Sequence, residues 1–153
     1  MTDGRKRKSR SGCPVNLSLE RFGDRWSLLI IRDMMVRGYH RFKEFQESGE
    51  GIATNILTDR LQKLKAEGII TAEADGSDRR KVSYCLTEKG VDLAPTVLEL
   101  LIWGGRHEKT DAPRSLIASM EADRKKILAE VRRRWRQRDP SPFQLKSGQW
   151  RWP

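Results

Sequence analysis

The chain has 153 residues, 31 Lys+Arg against 21 Asp+Glu and a net charge of +10, a length suited to one domain with extensions rather than two large cores. At 37% hydrophobic and 34% charged residues it is polar for a globular protein, yet above the composition at which no core forms. Its longest aliphatic run is Leu28-Leu29-Ile30-Ile31, far short of the ~20 apolar residues of a spanning helix, so no transmembrane role is expected and the charge points to a polyanion, nucleic acid first.

The first 12 residues carry five Lys/Arg and one Asp, with no large aliphatic side chain after Met1, and read as a disordered basic arm. Polar residues interrupt the Cys13-Pro14-Val15-Asn16-Leu17-Ser18 stretch that follows. No secretory signal is expected there, and the expected location is cytoplasmic. Pro14 suits a first helical turn, and Leu17, Leu19 and Phe22 supply a short stripe for helix one. Gly23 breaks it. Asp24 is a good N-cap for a second helix carrying Trp26, Leu29, Ile30 and Met34 and ending near Gly38. A short third helix spans about Arg41–Glu47 with Phe42 and Phe45 inward, and Gly49 and Gly51 form the turn after it. The longest pattern, Ile52, Ile56, Leu57, Leu61 and Leu64, predicts a helix that runs to Glu67 and stops at Gly68.

Beyond Gly68 the runs Ile69–Glu73 and Val82–Leu86 flank Asp75-Gly76-Ser77-Asp78, predicting a hairpin whose tip and return strand carry Arg79, Arg80 and Lys81. Thr87 caps one further helix to about Lys109, with Leu93, Val97, Leu100, Leu101 and Trp103 at apolar positions. Pro113 opens a last one through Leu116, Ile117, Met120, Ile127, Leu128, Val131 and Trp135 to Asp139-Pro140. The expected division is therefore a basic arm (1–12), a central domain (13–109), an amphipathic helical extension (110–139) and a flexible tail (140–153) in which Phe143, Trp150 and Trp152 are candidates to dock. The central residues 13–112 hold 15 basic against 16 acidic side chains, so the positive excess lies in the two ends.

Two helices joined by a glycine-containing turn and followed by a basic-tipped hairpin make a winged helix-turn-helix. The expected class is mainly α (α+β), with a two-stranded β-hairpin wing and added terminal helices. If the helix starting near residue 53 buries its Ile and Leu positions, it presents Thr54, Asn55, Thr58, Asp59, Gln62 and Lys65 on the opposite face. Asn and Gln can pair bidentately with adenine, Thr can touch a thymine methyl, and Lys reaches guanine or phosphate. The alternative is the solvated face of an ordinary core helix.

These pieces resemble the HxlR-type winged helix-turn-helix regulators over about Cys13 to His107. They are Cys13-Pro14-Val15, Gly23-Asp24-Arg25-Trp26 through Asp33, Arg41-Phe42-Lys43-Glu44-Phe45, Leu57 through Leu64 with Gly68-Ile69-Ile70, Tyr84 through Gly90, and Trp103-Gly104-Gly105-Arg106-His107. The resemblance implies a homodimer built from terminal helices, with candidate interface residues Val15, Leu17, Leu19, Leu93, Val97, Leu100, Leu101 and Trp103, bound to a pseudo-palindromic operator. Two features depart from it: Ala53-Thr54 stands where the family usually has a Ser, which moves or weakens the N-cap, and the wing is similar to that of MarR-type regulators. Carried over from that wing, Asp78 orders the turn and Arg80 probes the minor groove.

Cys13 precedes a helix start and follows five basic residues, which favours the thiolate; the resemblance implies an oxidant- or electrophile-sensing cysteine, and the alternative is a small packing residue at the dimer interface. Cys85, in an alternating strand, reads as a buried apolar residue. His40 and His107 have no partner at metal-ligand spacing, and no phosphate loop or catalytic set is present. No metal, cofactor or enzyme activity is assigned. The basic face of the last helix, Arg132 to Arg138, reads as a solvated face of a dimer helix or as added phosphate contact, with a membrane-surface helix a weaker third reading.

The sequence thus predicts a dimeric regulator, by preference a repressor, that reads bases through Thr54, Asn55, Thr58 and Gln62. Arg60, Lys63, Lys65, Arg79, Arg80 and Lys81 would contact phosphate or the minor groove, and a small-molecule or oxidant effector would act on it. The rival reading is a sequence-tolerant RNA-binding or architectural protein whose tails supply the affinity.

Overall fold

A computed structural model describes residues 11–141 and 143; most of the proposed arm, and Trp150 and Trp152 of the tail, lie outside those residues. Helix α1 (Pro14–Phe22) opens with proline in its first turn. Helix α2 (Arg25–Arg32) is capped by Asp24, whose side chain accepts the Ser27 N–H. It runs on as one π-helical stretch, Asp33–Arg37, closed by Gly38 at φ 71°. Inside this stretch Asp33 is buried between Arg32 at 2.7 Å and Arg37 at 3.4 Å, so its buried carboxylate is paired with two guanidinium groups. Helix α3 (Phe42–Gln46) and α4 (Thr54–Ala66) complete the helix-turn-helix, and both glycines of the turn between them, Gly49 and Gly51, have positive φ.

The hairpin follows: β1 (Ile70–Asp75) pairs antiparallel with β2 (Asp78–Leu86) in the register Ile70 to Leu86 and Ala72 to Tyr84. Only Gly76 and Ser77 lie between the strands, and Gly76 supplies the positive φ such a tight turn needs. Arg79, Arg80 and Lys81 consequently stand on the return strand, next to the tip.

Two expected helices are each divided in the structure. The span from Thr87 to Lys109 is a short α5 (Glu88–Val91) and a longer α6 (Ala94–His107). Pro95 stands in the first turn of α6, and its missing N–H and ring do not permit one continuous helix through Val91. The span from Pro113 to Asp139 is α7 (Arg114–Ala122) and α8 (Arg124–Gln137), hinged at Asp123, which leaves helical geometry at φ −141° and caps α8 through its carboxylate. Apolar periodicity continues across both breaks, which is why it does not reveal them.

The main core joins Ile30, Ile31, Phe45, Leu57, Leu61, Leu64, Ile69 and Ile70. Phe45 is set edge-on between Tyr39 at 6.1 Å and Tyr84 at 6.3 Å, which ties α3 to the root of the wing. A second cluster gathers Leu98 and Ile102 of α6 with Leu116, Ile117, Met120 and Ile127 of the extension. Gly105 is needed there, because a Cβ would stand 2.4 Å from Ile117. The extension also seals onto the wing's foot, where Trp135 donates its indole N–H to the Leu86 carbonyl at 2.8 Å. Beyond α8, the Phe143 N–H donates to the Val36 carbonyl at 2.6 Å and its ring packs against the second cluster.

Candidate nucleic-acid interface

Helix α4 buries Leu57, Leu61 and Leu64 and leaves Thr54, Asn55, Thr58, Asp59, Gln62 and Lys65 exposed, the division expected of an amphipathic helix. Its N-terminus has Ala53 as N-cap with no side-chain hydrogen bond, so the first-turn N–H groups are left open. Thr54 is instead held from outside: its hydroxyl accepts the Gln46 amide at 2.9 Å, joining the two helices of the motif. The Thr58 hydroxyl donates to the Thr54 carbonyl at 2.9 Å.

Arg60 and Lys63 point elsewhere. Arg60 Nε meets Asp24 Oδ1 at 2.8 Å and Lys63 Nζ meets Asp24 Oδ2 at 3.7 Å, while Arg60 also pairs with Asp59. Partial burial pushes the Asp24 carboxyl up, but the hydrogen bonds from Ser27 and Arg60 more than offset it and hold it at about 2. The same partnership raises Arg60 further above the ordinary guanidinium value. Both side chains fix α4 to the start of α2. Asp24 reads from sequence only as a helix cap; its second duty depends on a contact 36 positions away.

On the wing, Asp78 Oδ1 accepts the Arg80 N–H at 3.1 Å. Arg79, Arg80 and Lys81 are all exposed. Among the described residues neither they nor Lys65 have a carboxylate within ion-pair distance. A strut absent from the sequence reading supports the turn: Arg41 Nη2 meets Asp75 at 2.6 Å. The Arg41 hydrogen bond, with its charge, holds the Asp75 carboxyl below the usual range.

The apolar candidates for a dimer contact separate into two groups. Val15, Leu19, Leu100 and Trp103 are 66%, 56%, 51% and 58% exposed. Leu17, Leu93 and Leu101 are half-buried, and Leu101 packs on both cores. Val97, at 5% exposure, belongs to the protomer's own core and has no surface to offer a partner, a correction to its place in the expected interface.

Cys13 is exposed at the N-cap of α1. The N–H groups of Asn16 and then Val15, directed toward its sulfur, lower the thiol from its ordinary value. Cys85 is half-buried in β2 rather than fully enclosed. The arginines of α8 and its C-cap are largely engaged: Arg132 pairs with Asp92, Arg133 with Glu130, Arg134 with Asp139 and, at the cap, Arg138 with Glu73. No helix among the described residues is long and apolar enough to cross a membrane.

Comparison with known proteins gives a consistent result. A model of the HxlR-like helix-turn-helix family matches residues 21–112. The chain is 36% identical over 96 residues to the HTH-type transcriptional regulator YybR of Bacillus subtilis, covering 63% of this chain and 76% of that protein. Among solved structures, the redox regulator HypR in its oxidized form superposes with a TM-score of 0.57 at 33% identity, covering 64% of this chain and all of the other. Its reduced form gives 0.55 at 29% identity, covering 76% and 99%. Helices α7 and α8 lie beyond the family match.

Proposed function

The chain belongs to the HxlR-like helix-turn-helix family of transcriptional regulators, and from that premise we propose that it is a non-catalytic repressor that binds a pseudo-palindromic operator as a homodimer in the cytoplasm. The carrying observation is that the exposed polar face of α4, Thr54, Asn55, Thr58 and Gln62, has beside it a wing whose three exposed cations have no carboxylate at ion-pair distance among the described residues. In this reading α4 enters the major groove and reads base edges. Its open first-turn N–H groups meet a phosphate, and Arg80, ordered by Asp78, reaches the minor groove. Lys65, Arg79 and Lys81 contact backbone phosphate. Arg60 and Lys63 act at one remove, by holding α4 against α2. Exposed Val15, Leu19, Leu100 and Trp103 supply the dimer contact.

The likeness to a redox regulator supports Cys13 as an oxidant- or electrophile-responsive residue, since it is exposed and its thiol is lowered. The structure favours this reading over a tail-driven polyanion binder in one respect: the arginines of α8 and its C-cap are mostly spent on internal carboxylates. In vitro selection of bound duplex DNA, with and without diamide, is the test. A palindromic consensus whose recovery falls with diamide supports the proposal; recovery of no consensus refutes it.

A further inference from the structure

We propose that the cleft between the foot of the wing and α8 is a binding site for a small organic anion with an apolar body. The cleft has a volume of about 750 Å³, within the range of small-molecule sites. Its apolar walls come from three separate elements: Met34 and Met35 in the π-helical stretch after α2, Tyr84 and Leu86 on β2, and Val131 and Trp135 on α8. Trp135 spends its N–H on the Leu86 carbonyl and so offers only its ring.

The charge of the lining sets the sign of the occupant. Arg134, Arg136 and Arg138 stand against Glu73 and Asp139. Arg134 meets Asp139 at 3.7 Å and Arg138 meets Glu73 at 3.7 Å. Those pairs leave Arg136 as the lining cation with no carboxylate at ion-pair distance among the described residues. An apolar molecule bearing one carboxylate or sulfonate would bury its body against the methionines and aromatic rings and place its charge at Arg136. A cation would meet only carboxylates already paired.

One wall of this site is α8, which lies beyond the residues matched by the family model. The site therefore belongs to this chain's own extension. Because β2 continues from the cleft into Arg79, Arg80 and Lys81, an occupant would press on the strand that carries the wing's cations. That regulatory consequence rests on the DNA-binding reading, whereas binding of the anion does not.

The test uses the full chain carrying Cys13→Ser, in which Cys85, a cleft residue, is the remaining thiol. The probes are 8-anilinonaphthalene-1-sulfonate and its uncharged counterpart N-phenyl-1-naphthylamine, titrated without DNA. The expected result is saturable sulfonate binding at one site per chain that protects Cys85 from iodoacetamide. Arg136→Gln should weaken the sulfonate about threefold to fivefold and leave the neutral probe and the thermal unfolding midpoint unchanged. Equal alkylation of Cys85 in free and saturated protein, or a sulfonate affinity indifferent to Arg136→Gln, would overturn the proposal. A chain that protects Cys85 with the sulfonate yet, free of probe, binds no selected duplex would count against the DNA reading alone.

Discussion

Arg60 of α4 donates through Nε to Oδ1 of Asp24 at 2.8 Å, and that oxygen also accepts the Ser27 N–H that starts α2. One carboxylate therefore caps the helix that supports the motif and fixes the angle of the helix proposed to read DNA. A basic residue on a recognition helix would ordinarily be assigned to phosphate; here its geometry makes it a positioning residue.

Replacing Asp24 separates these duties. Asp24→Ala removes cap and ion pairs and should cost about 2–3 kcal/mol in urea unfolding, whereas Asp24→Asn keeps a competent cap and should cost about 1–2 kcal/mol. The carboxyl is held at about 2, below its ordinary value of 3.8. Its contribution is thus fully present above about pH 4 and is lost as pH falls through about 2, where it removes about 1–2 kcal/mol after allowance for solvent screening. A wild-type acid transition identical to that of Asp24→Asn would contradict this assignment.

The wing's cations should reveal themselves through salt. Each phosphate contact removed flattens the log–log slope of affinity against salt by about 0.9 on duplex DNA. Lys81→Ala should reduce the slope by about that amount with little change in sequence preference, while Arg80→Ala should also relax preference at A·T-rich flanks. Deleting residues 1–12 tests the arm in the same assay. An unaltered slope in Lys81→Ala would place that side chain off the DNA.

Cys13 should react with electrophiles faster than Cys85, because it is exposed and its thiol is lowered by the N–H groups of Asn16 and Val15. Diamide should weaken operator binding by wild-type protein and leave Cys13→Ser unaffected. A mutant that responds like wild type would show that the sensing residue is elsewhere.

Substituting the exposed apolar residues should act on assembly rather than folding. Trp103→Glu and Leu100→Glu are expected to yield monomers in sedimentation velocity with unfolding midpoints near those of the wild type. Val97→Ala should instead cost about 1–3 kcal/mol of stability, from the cavity it leaves in the protomer core, with assembly retained. A Trp103→Glu protein that sediments unchanged would remove α6 from the interface.

The element types of the winged helix-turn-helix were legible because each rests on local signals: Asp24 and Thr87 as caps, Gly38 and Gly68 as stops, and Asp75-Gly76-Ser77-Asp78 as a hairpin turn. The exposed and buried faces of α4 follow from the spacing of Leu57, Leu61 and Leu64. The breaks at Asp92-Leu93 and Asp123 escaped the apolar pattern, although Pro95 was a visible cue for the first. The tertiary uses of polar side chains escaped entirely. Nothing local tells that Arg60 turns to Asp24, that Arg41 braces Asp75, or that Trp135 reaches the Leu86 carbonyl, since each pairing spans more than 30 positions.

The most direct measurement of the central claim is the affinity for a selected operator relative to bulk duplex at physiological salt, in wild type and in Asn55→Ala/Gln62→Ala. Sequence-specific reading by α4 predicts a ratio of at least ~10³ for the wild type. The double variant should fall by about 10-fold to 100-fold in that ratio while keeping its affinity for bulk DNA and its fold. A wild-type ratio near one, or a double variant that discriminates as well as the wild type, would contradict it.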